Sequence, residues 1–335
     1  METQTQSEGG KPLTVSPESF AALQALCEDP AQRLRWSCPF VLPRWAQAWW
    51  ECFGDGEPDL LSLRRDGEAV GVAPLMIRGD TAHVIGDAEV SDHLDVVAAP
   101  GAGGAVLATL RRHLLARGVR RLELLRVRPD STAALELVPA ARRMGLALEF
   151  APRDVVMELA LPGSWDEYLA ARDGKQRHEL RRKLRRLGEA GDWRLRPART
   201  TAETGDALSA FIRLFRLNRP DKARFMTPRR EAYFRALAAG LAADGRLRML
   251  ALELDGATAA VAFCVEHGQR MYLYNNAYDA RFRSLSAGLL SKALGIRESI
   301  RAGLRVFDFL RGDEDYKKRL GARPVPLYGC RIGLG

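Results

Sequence analysis

Apolar and polar residues alternate along the first half of the chain in a pattern that predicts both strands and helices. Residues 60–77 alternate around an Asp66-Gly67 pair, which is typical of a β-hairpin. Residues 102–117 have the spacing of a helix that ends at Gly118, and residues 120–126 alternate again as a strand. This order of elements indicates an α/β unit.

The second half of the chain repeats this pattern. A hairpin pattern surrounds Asp255-Gly256, a helix that begins at Ser286 ends at Gly303, and a strand follows. When residues 114–126 are aligned with residues 299–311, the two helix-ending glycines coincide, and the hairpin turns fall close to the same offset. The sequence therefore predicts an internal duplication of one α/β unit.

The length of 335 residues allows two domains, and proline-containing turns near residues 151–163 indicate the boundary between them. We expect a disordered tail over residues 1–13, a first domain over 14–158 and a second over 159–335. In the first domain we also expect a helix at 132–144 and separate strands at Ala147 and Val155. The order predicted for the second domain is a basic helix (173–190), a strand (193–198), helices (204–217 and 228–243), three antiparallel strands (246–278), a long helix (286–302), a strand (305–309), a short helix and a last strand (326–332).

The composition is that of a globular protein, with 47% hydrophobic and 28% charged residues. No run is long and apolar enough for a transmembrane helix, and the polar N-terminus has no signal-peptide core. The five cysteines are scattered without a Cys-x-x-Cys pair, which favours reduced thiols and a cytoplasmic location. Phosphate-loop, nucleophile-elbow and dinucleotide-binding fingerprints are absent.

The net charge of +9 is concentrated in one predicted helix. Residues 175–186 contain seven Lys or Arg and one Glu. Arg177 and Arg181 follow one face of this helix, so they form either a solvated surface or a wall that attracts an anionic ligand.

A stretch of small residues begins the long helix of the second half. Ser284, Ser286 and Gly288 follow a tyrosine-rich strand, and serine is a good N-cap residue. A helix N-terminus binds phosphate through its unpaired N–H groups, and small side chains leave these groups accessible. The alternative is a capped helix that binds no ligand.

The order of elements in the second half resembles the GNAT N-acetyltransferase fold. Residues from about 30 to 332 resemble the tandem-GNAT proteins of the CelD-type acetyltransferase branch, which are related to the Fem peptidyltransferases. The segments that carry this resemblance are PFVLPRWAQAWW from Pro39, GVAPLMIR from Gly71, SDHLD from Ser91, KQRHELRRKLRR from Lys175, YDARFRSLSAGLL from Tyr278 and FDFLRGDEDYKKRLGA from Phe307. The implied fold class is α/β (α+β), with two tandem GNAT-like domains, each a mixed, mainly antiparallel sheet flanked by helices.

The resemblance also implies a site for acyl-CoA, with no metal. The family fingerprint is Gln/Arg-x-x-Gly-x-Gly/Ala, and residues 283–288 keep its Arg and last Gly but lack its first Gly. The residues implied to bind the donor are Asn276, Arg283, Ser284, Leu285, Ser286, Ala287 and Gly288. By the same resemblance, the backbone of residues 275–278 polarises the acyl carbonyl.

Four residues after the long helix are implied to be catalytic: Tyr316, Lys317, Asp308 and Asp313. Tyr316 has the place of the acid that protonates the leaving thiolate, and Lys317 that of a lysine which contacts donor or acceptor in Fem proteins. Structural alternatives are a Tyr316 hydroxyl bonded to a surface carbonyl, a solvated Lys317, and an Asp308 paired with Arg311 or Arg305. The residues expected to bind the acceptor are Arg177, Arg181, Asp92, His93 and Arg311.

The function predicted from these residues is transfer of an acyl group, typically acetyl, from acyl-CoA to an amine or hydroxyl acceptor bound between the two domains. The resemblance places this activity in cell-envelope or polysaccharide metabolism. The first domain is expected to be a degenerate copy, because no equivalent of the 286–288 helix start follows its strand at 81–85.

Two alternatives remain. The first is a Fem-like transferase that uses aminoacyl-tRNA; the basic helix supports it, but the connection 218–227 is too short for the helical hairpin that some Fem proteins carry. The second is a non-catalytic protein that binds an anionic ligand, which the missing glycine of the fingerprint allows.

Overall fold

The computed structural model describes residues 11–87, 89–218 and 224–335, and the chain divides into two compact units. Unit 1 comprises Met1–Ala46, Asp55–Pro152 and Tyr328–Gly335, and unit 2 comprises Gln47–Gly54 and Arg153–Leu327. The domain bounds at residues 158 and 159 stay a prediction. Residues 1–10 of the tail predicted for residues 1–13 lie outside the described residues. Leu13, in contrast, is buried, with 5% of its surface exposed.

Helices and strands alternate in both units. The strands are β1 (Thr14–Pro17), β2 (Glu57–Arg65), β3 (Glu68–Arg78), β4 (Thr81–Val84), β5 (Val97–Ala98), β6 (Arg121–Val127), β7 (Leu148–Ala160), β8 (Trp193–Pro197), β9 (Leu247–Leu254), β10 (Ala257–His267), β11 (Arg270–Tyr278), β12 (Val306–Arg311) and β13 (Arg323–Gly333). The helices are α1 (Phe20–Glu28), α2 (Pro43–Phe53), α3 (Gly103–Ala116), α4 (Val138–Arg143), α5 (Trp165–Ala170), α6 (Gly174–Ala190), α7 (Thr201–Asn218), α8 (Pro228–Ala243), α9 (Ala287–Arg301) and α10 (Asp315–Arg319). Short 3₁₀ turns cover Pro39–Val41 and Ala280–Leu285, and a π-turn covers Ala133–Leu137.

Unit 1 contains a sheet in the order β1-β2-β3-β4-β6, followed by the end of β13. Only β4 and β6 run parallel, from Thr81 opposite Arg121 to His83 opposite Glu123. The β2–β3 hairpin turns at Asp66 and Gly67, both with positive φ (52° and 88°), as a type I′ turn requires.

Unit 2 contains the corresponding sheet, in the order end of β7, β12, β11, β10, β9, β8. Here β11 and β12 are the parallel pair, and the β9–β10 hairpin turns at Asp255 and Gly256 with φ of 49° and 77°. Buried side chains from β10, β12 and α9, among them Ala262, Phe307 and Leu290, form the core beneath this sheet.

The predicted duplication is visible in the backbone. Gly118 and Gly303 follow the equivalent helices α3 and α9 with φ of 78° and 72°, a conformation that favours glycine. Arg126 in β6 and Leu310 in β12 both have positive φ at irregularities in their strands. The predicted fold class, tandem mixed and mainly antiparallel sheets flanked by helices, is confirmed.

One local prediction in the first half is wrong. The strands expected at Ala147 and Val155 are one continuous strand, β7. The helix expected over 132–144 is present, but it begins with a π-turn, in which the N–H of Val138 bonds to the carbonyl of Ala133. Pro139 follows and has no N–H, so a regular α pattern cannot pass through this point.

The first half was expected to lack an equivalent of the 286–288 helix start, but unit 1 has one. Helix α3 begins at Gly103 after Gly101 and Ala102, although β5 and an irregular segment separate it from β4. The Glu136 carboxylate accepts hydrogen bonds from the N–H groups of Gly101 at 3.1 Å and Gly103 at 2.7 Å. A side chain of the protein itself therefore occupies the positive end of α3.

No helix in the described parts of the chain is both long and apolar enough to cross a membrane. The predicted short connection 218–227 includes residues 219–223, which lie outside the described residues.

Candidate functional site

The parallel strands of unit 2 part at their carboxyl ends. Their paired register ends at Tyr272 opposite Asp308, whereas β11 continues to Tyr278. Tyr274 is an extra residue in β11, because Phe263 faces Asn275 and Cys264 faces Leu273. Ligands of α/β sheets commonly bind beyond the carboxyl ends of parallel strands, so this opening is a candidate site.

Helix α9 begins beside this opening, and its first turn has no side-chain cap. Ser286 occupies the N-cap position with φ 60° and ψ 33° and makes no capping hydrogen bond. Its Oγ instead accepts a hydrogen bond from Lys183 Nζ of the basic helix α6 at 2.7 Å. Ser286 therefore occupies the predicted N-cap position, but its hydroxyl does not hydrogen-bond to the N–H groups of the helix.

Gly288 is required for packing in addition to any role toward a ligand. A Cβ at this position would lie 2.7 Å from Cδ1 of the Tyr278 ring at the end of β11. The close approach of the Tyr278 ring fixes where α9 begins relative to β11.

A polar cluster links β11 to the first turns of α9. Asn276 donates from Nδ2 to Ser291 Oγ at 2.9 Å, and its Oδ1 accepts from Lys292 Nζ at 2.8 Å. Lys292 Nζ also donates to the carbonyl of Gly288 at 2.6 Å and lies 4.9 Å from the centre of the Tyr316 ring. Sequence reasoning missed Ser291 and Lys292, although they lie three and four residues after Gly288, on the same side of a helix.

The backbone of β11 at Asn276 is already engaged. Its N–H donates to Asn275 Oδ1 at 2.8 Å. The expectation that residues 275–278 polarise an acyl carbonyl therefore stays a prediction.

Tyr316 combines a packed ring with a hydroxyl that has no partner among the described residues. The ring lies edge-on to Phe309 at 6.4 Å between centres and contacts the hydrophobic core of unit 2. No described group hydrogen-bonds to its hydroxyl, so the alternative of a bond to a surface carbonyl is not observed. Burial, followed by the charge of Glu314, raises the pKa of Tyr316 above its ordinary value, which keeps the hydroxyl protonated.

Lys317 is buried, with 2% of its side chain exposed, and holds the loop after β12. Its Nζ donates to the carbonyls of Leu310 at 3.2 Å, Arg311 at 2.6 Å and Gly312 at 3.1 Å. It also pairs with Glu314 at 2.9 Å. The Lys317 side chain is thus not solvated.

Asp308 stabilises the same loop from within β12. It is fully buried, and its Oδ1 accepts from the N–H of Leu310 at 2.7 Å, which supports the positive φ of Leu310. Lys317 and Asp308 therefore shape the segment that carries Tyr316.

The other predicted residues have varied surroundings. Asp313 is exposed and lies 3.6 Å from Lys318 Nζ, and Arg311 lies 3.7 Å from Asp154. Arg177 donates to the carbonyls of Ala170 and Arg172, both at 3.3 Å, and Arg181 is exposed.

Asp92 and His93 belong to unit 1. His93 is 2% exposed and packs edge-on against Phe40 at 4.8 Å between ring centres. No group of three or more His, Cys, Asp or Glu among the residues that the structure describes has a geometry that could hold a metal ion.

Comparison with known proteins relates the region that carries this site to a described family. Residues 174–318 match the family model described as an acetyltransferase (GNAT) domain. A search of curated protein sequences finds no match to the chain. The family match agrees with the resemblance of the second half to the GNAT fold.

Solved structures with the same fold extend over nearly the whole chain. FemX aligns with a TM-score of 0.65 at 13% identity, covering 94% of this chain and 96% of its own. A conserved protein of unknown function from Bacteroides thetaiotaomicron aligns with a TM-score of 0.62 at 14% identity, covering 96% and 99%. The C-terminal domain of a lysylphosphatidylglycerol synthetase from Agrobacterium fabrum aligns with a TM-score of 0.55 at 13% identity, covering 85% and 86%. At these identities the likeness shows a common fold, and it confirms the resemblance to Fem-type proteins at that level.

The contacts of Lys317 lead to a prediction about stability. Replacement of Lys317 by Met removes three hydrogen bonds to backbone carbonyls, one buried and two partly buried, so we expect the free energy of unfolding to fall by about 1–3 kcal/mol. Lys318→Met is the matched control, because the Lys318 side chain is half exposed and forms an ion pair with the exposed Asp313; its effect should stay within about 0.5 kcal/mol. Urea unfolding of the two variants measures the difference, and equal stabilities would contradict this role of Lys317.

Proposed function

We propose that unit 2 is an acyltransferase that uses acyl-CoA as its donor. In this proposal the pyrophosphate of the donor binds at the first turn of α9, and its thioester lies in the opening between β11 and β12. The acceptor is an amine or a hydroxyl. The GNAT domain over residues 174–318 supports acyl transfer as the class of reaction.

The observation that carries the proposal is the difference between two equivalent helix starts. In unit 1 the Glu136 carboxylate binds the first N–H groups of α3, whereas Ser286 provides no such group for α9. The N-terminus of the 15-residue helix α9 keeps its partial positive charge and its N–H donors. At the start of α9 an anionic group of the ligand supplies the negative charge and the hydrogen-bond acceptors that Glu136 supplies in unit 1.

The charge of Lys183 adds to this argument. Its ammonium group is held beside the positive end of α9 by the 2.7 Å bond to Ser286 Oγ. Glu179 is its ion-pair partner at 3.1 Å, one turn earlier on α6. Two positive groups side by side favour a phosphate between them.

The chemistry requires a proton for the leaving thiolate. The acceptor nitrogen attacks the thioester carbon, the new C–N bond forms, the C–S bond breaks as the electron pair moves to sulfur, and the nitrogen releases one proton to solvent. Tyr316 has an unengaged hydroxyl that its raised pKa keeps protonated, so it can give that proton to the thiolate and take one back from solvent. Lys292, which lies over the Tyr316 ring, holds that side chain in place.

Donor binding is tested by placing a carboxylate where unit 1 has one. We expect saturating acetyl-CoA, at about a hundredfold its dissociation constant, to stabilise the wild-type protein by roughly 2.7 kcal/mol. Ser286→Asp should abolish this stabilisation, because its carboxylate occupies the helix N-terminus, while the unliganded protein stays folded. Thermal unfolding with and without acetyl-CoA measures both effects.

Ser286→Asn is the control for that experiment, since asparagine has the same shape without the charge and tolerates positive φ. It should keep most of the acetyl-CoA stabilisation. Stabilisation by acetyl-CoA that is equal in Ser286→Asp and wild type would contradict the donor site. Stabilisation by total tRNA alone, fading as salt rises, would favour the Fem-like alternative instead.

The role of Tyr316 is tested by kinetics. Tyr316→Phe should lower kcat by about 10²–10⁴-fold and leave the acetyl-CoA dissociation constant unchanged, because only the proton donor is lost. Turnover is measured as CoA thiol release with a panel of primary amines. Since the Tyr316 pKa is raised, the wild-type rate should rise with deprotonation of the amine and show no fall near pH 10. Tyr328→Phe in unit 1 is the control, and an unchanged kcat in Tyr316→Phe would exclude the role.

A further inference from the structure

A cleft of about 740 Å³ opens beside the basic helix of unit 2. The first turns of α6, the residue before that helix and the end of α10 line it, with Leu289 of α9. Its volume is in the range of small-molecule sites. Its cationic side chains are Arg172, Lys175, Lys183 and Arg319.

The guanidinium of Arg172 is held in a fixed position. It lies 5.0 Å from the centre of the Tyr168 ring, and the Tyr168 hydroxyl donates to the carbonyl of Leu320 at 3.0 Å. On its other side lies Gly321, with φ of 94°, where any Cβ would overlap Arg172 Nη1. A glycine at 321 is therefore needed for Arg172 to lie where it does.

Arg172 has no counter-ion in this position. Its Nε is buried without a hydrogen-bond partner. Across residues 11–87, 89–218 and 224–335, no carboxylate pairs with its side chain. A guanidinium packed against an aromatic ring loses less side-chain entropy when it binds an anion than a freely solvated one does.

The carboxylates in the cleft are engaged elsewhere. Asp173 caps α6 by accepting from the N–H of Gln176 at 2.8 Å. Glu179 pairs with Arg182 at 2.8 Å and with Lys183 at 3.1 Å. Lys175 and Arg319 have no ion-pair partner within the described ranges, so the cleft keeps an excess of positive charge around Arg172.

We propose that this cleft binds a phosphate group, with Arg172 as the anchoring residue and Lys175 and Arg319 at its sides. The planar fork of an arginine matches the oxygens of a phosphate, and three cations without partners suit an anion of more than one charge. The volume leaves room for the rest of a larger molecule. The cleft borders the donor site proposed above, because Lys183 and Leu289 also line it, but its anchoring residue, Arg172, has no part in that site.

The test uses inorganic pyrophosphate as the probe and isothermal titration calorimetry of the full chain. We expect the wild-type protein to bind it with an affinity that falls as salt rises. Arg172→Met, which removes the guanidinium and keeps an unbranched side chain, should weaken binding at least tenfold. Arg194→Met is the control, because Arg194 is exposed on β8 and pairs with Asp192 at 3.0 Å; its affinity should match that of the wild type.

A second variant covers the case in which Arg172→Met does not fold. Lys175→Met combined with Arg319→Met changes two exposed side chains, and it should weaken pyrophosphate binding by a similar factor. Wild-type affinity in either folded variant, or no pyrophosphate binding by the wild-type protein, would overturn the proposal.

Two donor-like ligands identify the source of the phosphate. If Arg172→Met weakens binding of CoA but not of dephospho-CoA, the cleft holds the 3′-phosphate of the donor. If pyrophosphate binding depends on Arg172 while CoA binding does not, the phosphate belongs to the acceptor. Binding of pyrophosphate through Arg172 by a protein that binds no CoA would support the cleft and contradict the acyl-CoA donor.

Discussion

The proposed donor site depends on the electrostatics of the first turn of α9. This 15-residue helix begins there with N–H groups that no side chain among the described residues caps, and Lys183 adds a second positive charge beside them. Tyr278 fixes the position of this turn through its contact with Gly288. Lys292 connects the same turn to Asn276 and to the ring of Tyr316, so the helix start and the proposed proton donor are held by one set of contacts.

The two units share one architecture but differ in what surrounds the start of the equivalent helix. Both have a type I′ hairpin, a helix that ends at a positive-φ glycine, and a strand that runs parallel to its neighbour for three residues. In unit 1 a single carboxylate, Glu136, satisfies the helix N-terminus from within the protein. A partner of this kind stabilises the folded protein. An external anion can bind only at a helix N-terminus that has no such partner. The two helix starts thus differ in whether a carboxylate of the protein binds there.

Local signals made much of the fold predictable. The Asp-Gly turns could be identified because only a few residues tolerate two successive positive φ values, and α8 was predicted with the bounds it has, since proline and helical spacing mark it. The π-turn could not be identified, because it depends on how Pro139 interrupts a helical pattern that otherwise continues. The equivalence between the starts of α3 and α9 was missed because β5 and irregular chain separate α3 from β4.

The candidate site was only partly predictable for a similar reason. The resemblance led to residues 283–288 and Tyr316, but Lys183 and Ser286 are 103 residues apart in the chain, and nothing in the sequence relates them. Lys317 has the sequence context of a solvated lysine, and its three carbonyl partners come from the turn of the preceding loop. Arg172 is part of a charged stretch. Its position depends on the ring of Tyr168, which it contacts, and on the glycine at 321, which leaves space for its guanidinium.

Donor binding at α9 can be tested by hydrogen exchange measured by mass spectrometry, with and without saturating acetyl-CoA. We expect acetyl-CoA to protect the amides of residues 286–290 at the start of α9 and to leave those of residues 101–105 at the start of α3 unchanged. Protection at α3, or binding of acetyl-CoA with no protection at α9, would contradict it.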